Sequence, residues 1–193
     1  MNKLKRAGIA WVIQYALSII SLFVGAIFIL KNGGLNLLTD KDALMQTVQT
    51  ALPSSLQIFL SLLGIILTVI VFSGFIYLGK KYNKTFLEVM GWLLMIILIS
   101  NIIFTSLMYN LIPELYLDVN LIYKIIYLIF YIPSIILFGI SLLSLKDKVY
   151  LSKTTGILYI IGGATSILLV GVFIVIVADI SAMVMFFRAS QKL

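Results

Sequence analysis

The sequence predicts an all-α integral membrane protein, a single bundle of five transmembrane helices. Two observations lead there. Of the 193 residues, 62% are hydrophobic and 11% charged, against about 45–50% and about 25% in soluble globular domains, and the mean hydropathy is +1.18. The apolar residues also fall in runs of about 20 or more, the length a helix needs to cross about 30 Å of hydrocarbon. They lack the two-residue alternation of a barrel strand, and so apolar a chain cannot be disordered. With no Cys and no His, disulfides, thiolate chemistry, zinc fingers, haem–His ligation and imidazole bases are excluded. No catalytic, cofactor or metal site is legible, and the chain does not read as an enzyme.

The predicted spans run from Ala7 to Leu30, Leu56 to Gly79, Phe86 to Tyr109, Asn120 to Leu145 and Thr155 to Phe187. The first follows Lys3, Lys5 and Arg6 and exceeds the 7–15 residues, roughly, of a signal-peptide core, so it reads as a retained span. The fifth is interrupted only by Asp179 and covers about 33 residues, about 50 Å as one helix. That exceeds the bilayer core, and the reading preferred is a helix protruding from the outer face.

Lys and Arg set the orientation. Lys3, Lys5 and Arg6, then Lys80, Lys81 and Lys84, then Lys146, Lys148 and Lys153 would share one side, opposite Lys31, Lys41, Lys124, Arg188 and Lys192. Basic residues concentrate in short cytoplasmic segments, which puts the N-terminus in the cytoplasm and the C-terminus outside. The +7 charge is thereby explained by topology and anionic headgroups. No basic–aromatic platform for nucleic acid is present. In the long outer loop Asp40 can cap a short helix in which Leu44, Val48, Ala51 and Leu52 would share a face, with Pro53 ending the run. Such a segment is expected to lie in the interface.

A weak repeat at an offset of about 65 residues aligns Gly74 with Gly139, Lys81 with Lys146, Gly91 with Gly156, Ser100 with Thr165 and Asn101 with Ser166. It would relate residues 56–110 to 121–187 as parallel hairpins. Thr155 to Gly162, then Leu169-Val170-Gly171 and Phe186-Phe187, resemble the last helix of small archaeal multi-span proteins of the domain of unknown function 996 family. The Gly79 to Asn83 turn is similar to the related domain of unknown function 973 family. The resemblance lies mainly in the second half. It implies an archaeal-type polytopic protein of the cell membrane and assigns no functional residues.

Ionisable groups inside spans are functional candidates because mid-bilayer charge costs at least about 2.5–3.5 kcal/mol. Counted along one helix, Asp179 falls near the outer edge of the hydrocarbon, at the depth of Lys124, and the two are expected to pair. Glu88 reaches back to Lys84 as a surface pair. Asn101, beside Ser100 and Thr105, sits at the middle of the third span and should face another helix. Pro133 should kink the fourth span, where Tyr123, Tyr127 and Tyr131 form an aromatic stripe.

Ser21 and Gly25, Gly64 and Thr68, Gly162 and Ser166, and Ala178 and Ala182 each place two small residues one turn apart, where helices approach closely. The primary reading is a non-catalytic bundle component acting by association in the bilayer, with itself or a membrane-protein partner. The alternative is a transporter or channel for a small solute or ion.

Overall fold

The computed structural model describes residues 2–31, 54–111, 116–166 and 168–191. Among these residues there are six α-helices: α1 Lys3–Lys31, α2 Ser54–Lys81, α3 Thr85–Leu111, α4 Tyr116–Leu143, α5 Ser152–Ala164 and α6 Leu169–Gln191. The predicted interfacial helix between Asp40 and Pro53 lies outside them. Ser55–Lys81, Thr85–Met108, Leu121–Leu143 and Val170–Gln191 are long and apolar enough to cross a membrane. Phe59, Leu62, Ile96, Ile129 and Phe173 are exposed along them, an amount of bare apolar surface that only lipid would cover. The chain is a helical membrane protein.

Local chemistry sets the helix ends. Asn2 caps α1, its Oδ1 accepting the Leu4 N–H at 3.1 Å and so satisfying one free donor of the first turn. Between α2 and α3 the Lys84 N–H reaches the Gly79 carbonyl at 2.7 Å and the Asn83 N–H reaches that of Lys80 at 3.3 Å. Asn83 adopts φ 54°, the left-handed turn residue such a double closure requires. Each helix packs on its chain neighbour and α6 closes on α1, so the six form a ring.

The fifth predicted span is the main correction. It is not one helix. The chain reverses after Ala164, and α6 runs back antiparallel to α5, as the Tyr159–Asp179 and Thr155–Ser181 side-chain contacts establish. The reversal satisfies its own backbone. Thr165 Oγ1 donates to the Ile161 carbonyl at 2.7 Å and Ser166 Oγ to that of Gly162 at 2.6 Å. Backbone N–H groups of Thr165, Ser166 and Leu168 close further turns. This is how an irregular segment survives away from water. Gly171 lets the returning helix touch the turn, because a Cβ there would stand 2.2 Å from the Thr165 carbonyl carbon.

The reversal also corrects the topology, since the expected C-terminus on the opposite side does not hold. A Cβ on Gly8 would lie 3.1 Å from the Phe187 ring, and the Arg188 guanidinium sits 4.3 Å over Tyr150. The start of α1 and the end of α6 therefore lie at one end of the ring. Lys3 stacks on Tyr77 and Lys148 on Tyr82 at that same end. Every described Lys and Arg except Lys31 and Lys124 gathers there, a cleaner asymmetry than the sequence reading implied.

With 13 residues, α5 is about 20 Å long, whereas α6 with 23 residues runs about 34 Å and begins about 15 Å beyond Asp179, so α5 alone is confined to the basic half of the ring. It joins α4 where Gly139 and Gly156 meet, a Cβ on either standing 2.6 Å from the other's carbonyl oxygen. The core follows α5. Phe75, Phe138, Phe186, Leu78, Leu87, Leu142 and Met185 are fully buried in the basic half. Among the described residues, nothing in α1 beyond Trp11, α2 before Leu67, α3 after Met95 or α4 before Ser134 is buried. The two halves are thus packed and open.

Candidate functional site: a carboxylate inside the ring

Asp179 lies where the halves meet. Its Oδ1 accepts the Tyr159 hydroxyl at 2.6 Å and its Oδ2 accepts the Tyr15 hydroxyl. Tyr15 is placed about 18 Å from the Lys3 end of α1 and about 24 Å from the Lys31 end, so the carboxylate sits at mid-bundle and not at the outer edge. The correction has the same cause as the fifth span: beyond Thr165 the chain descends, and residues counted as climbing are returning. For that reason the expected Lys124–Asp179 pair is not formed. Lys124 is exposed on the open half of α4, and among the described residues no cation forms an ion pair with Asp179.

Asp179 faces a cavity of 530 Å³ that Trp11, Gln14, Tyr15, Tyr131, Phe138 and Tyr159 help to line. Toward the basic end the cavity is stoppered by aromatic rings. Phe75 packs edge-on to Phe138 at 4.8 Å and to Trp11 at 5.5 Å, and tilted on Phe186 at 4.6 Å. In the opposite direction a second cleft of 470 Å³ continues between α1 and α2, sharing Gln14 and Ser18 with the first. Its polar side chains climb both helices at helical spacing, Gln14, Ser18 and Ser21 on α1 facing Gln57 and Ser61 on α2. Gln14 donates to Thr68 Oγ1 at 3.4 Å. Gln57 Oε1 is buried with no hydrogen-bond partner among the described residues, which is costly for a native group.

The other sequence candidates lie apart from this site. Glu88 forms its surface pair with Lys80, at 3.5 Å across the turn, instead of with Lys84; the reversed hairpin direction puts Lys80 within reach. Asn101 is half-buried on α3, and the second cleft reaches its neighbour Ile102 instead. Pro133 is accommodated within a continuous α4, with Ser134 Oγ donating to the Phe130 carbonyl at 2.7 Å. Of the tyrosine stripe, Tyr123 stacks on Phe104 at 3.6 Å, Tyr127 on Tyr131 at 5.2 Å, and Tyr131 reaches the cavity. Three small-residue pairs are used within the ring: Gly64 and Thr68 against α3 and α1, Gly162 against Val175, and buried Ala178 and Ala182.

Sequence reading finds Asp179 and Tyr131 but misses Tyr15, Tyr159 and the polar stripe. The stripe was available as a signal, since Gln14, Ser18 and Ser21 share one face, as do Gln57, Ser61 and Thr68. No protein-family model, curated protein or solved structure matches the chain. The fold and the site define a class: a helical membrane protein with an acidic group enclosed by its helices.

Proposed function

We infer that this protein is a carrier for a small solute or ion, oriented with the basic end in the cytoplasm, α1 to α4 as full spans and α5–α6 as a hairpin re-entering from the cytoplasmic side. The single observation that carries the reading is the arrangement along the ring axis. A cleft bordered by polar side chains of α1 and α2 adjoins the Asp179 cavity on the side away from the basic end, and a plug of aromatic rings closes the way toward that end. Binding groups at mid-membrane beside a helical hairpin, closed toward one end of the ring, are parts a carrier needs. Asp179 is the group on which binding would turn. An ionised carboxylate has about four acceptor sites, and the two tyrosines occupy two, leaving room for a proton or a cation. Three of the four small-residue pairs pack within the ring, so they supply no separate support for association in the bilayer.

The test is reconstitution of the full chain in liposomes on a solid-supported membrane, with concentration jumps of inorganic and organic cations and of protons. The expected result is a transient current with at least one of them that Asp179→Asn abolishes while the variant still elutes as a folded species. Currents absent for every solute, or unchanged in the variant, would sink the carrier reading.

A further inference from the structure

We propose that the Asp179 cavity binds a small organic cation, a substituted ammonium held by one carboxylate and a cage of aromatic faces. The inference rests on the carrier reading for its biological purpose, but its chemistry can be tested separately.

Charge comes first. The cavity contains one acidic side chain and, among the described residues, no basic one. Both hydrogen bonds to Asp179 come from neutral hydroxyls, so the tyrosines orient the carboxylate without neutralising it. A charge at this depth is costly, and a bound cation of opposite sign removes the cost.

The walls then select the kind of cation. Calcium takes about six to eight oxygen ligands and magnesium a near-ideal octahedron, whereas no group of three or more acidic or other metal-binding side chains occurs among the described residues. Most of the remaining lining is aliphatic, including Val71, Leu94 and Ile135. A bare inorganic ion would lose its water here and find few oxygens. An ammonium carrying alkyl groups has a thinner hydration shell, and its methyls suit an apolar wall.

Aromatic faces complete the match. Trp11, Tyr15, Phe72, Tyr131, Phe138 and Tyr159 line the space, and an aromatic face turned to a cation attracts it, most strongly when the cation is desolvated. The volume of 530 Å³ falls within the range of roughly 300–1,000 Å³ for small-molecule pockets, far more than a proton site requires. Ring density and size both point away from a simple proton relay. They favour a ligand with a cationic head and a hydrocarbon body.

The experiment uses the purified full chain in detergent with Trp92→Phe, which leaves Trp11 as the only tryptophan, its indole at the cavity wall. Benzyltrimethylammonium is titrated by Trp11 fluorescence and by calorimetry, beside its uncharged carbon isostere, neopentylbenzene, and beside sodium and potassium. Saturable binding of the ammonium is expected, weakened about tenfold or more by Asp179→Asn and several-fold by Phe138→Leu, with Asp179→Glu retaining it. Tyr131→Leu is the companion variant should Phe138→Leu fail to fold, and melting curves report which variants are intact. Equal affinity for the uncharged isostere, or ammonium binding indifferent to Asp179→Asn, would overturn the proposal. So would sodium or potassium binding with no ammonium binding. If ammonium binds but drives no current in liposomes, the carrier reading fails and the site stands. If protons or alkali cations give Asp179-dependent currents without ammonium binding, the substrate class fails and the carrier stands.

Discussion

The basic half of the ring and the opposite half are built from the same four long helices, yet only the basic half is packed. There the α5–α6 hairpin adds two more helices, and rings from α1, α2, α4 and α6 interlock around Phe75. In the other half α5 is absent and α1 to α4 are joined only by the first turns of α6, and polar side chains on α1 and α2 border an open cleft. The core thins out near the depth of α5, and the acidic site, held by Tyr159 of α5, lies at that border. A partial element can define a binding depth more sharply than a full one.

The contrast can be broken most directly at its source. Gly171→Leu drives a side chain into the Thr165 backbone, and the expected result is loss of the monodisperse species, or a melting temperature lowered by on the order of 10 °C or more. Size exclusion and a thermal melt in detergent measure it. Next in size is a matched pair of truncations. Phe75→Ala in the packed half should cost about 3–5 kcal/mol, while Phe59→Ala, exposed at 60% in the open half, should cost less than about 1 kcal/mol. Similar losses for the two would erase the distinction between halves.

Smaller effects sharpen the border. The double change Thr165→Val with Ser166→Ala removes the hydroxyls that serve the Ile161 and Gly162 carbonyls, and should cost about 1–2 kcal/mol. Since the chain has no cysteine, single replacements report access cleanly. Ser61→Cys in the cleft should react with a membrane-impermeant maleimide about tenfold faster or more than Ser141→Cys, which the packed half buries. The smallest effect is expected from Lys124→Gln: less than about 0.5 kcal/mol in stability and no change in anything that depends on Asp179. A loss matching that of Asp179→Asn would restore the ion pair the sequence suggested.

The four long helices were legible because charged or polar turns separate their apolar runs, as Lys80 to Lys84 does between α2 and α3. The hairpin was not, because its turn carries no charge. Thr165 and Ser166 satisfy the freed carbonyls with their own hydroxyls, so hydropathy stays high across a reversal of direction. The one trace of it is length, an apolar stretch too long for a single crossing. The same reversal hid most of the site. Asp179 stands out as the lone acid of its stretch, but its partners come from α1 and α5, and their depths agree with its own only once the chain turns back. Lys124 appeared to match for want of that turn.

The uncharged reversal also bears on how the protein is made. Because α5 starts and α6 ends at the same end of the ring, the last two helices can enter it together from one end. The hairpin can be seated late, as a wedge driven into four helices already in place, so the acidic site would come into existence only at the final step of biogenesis.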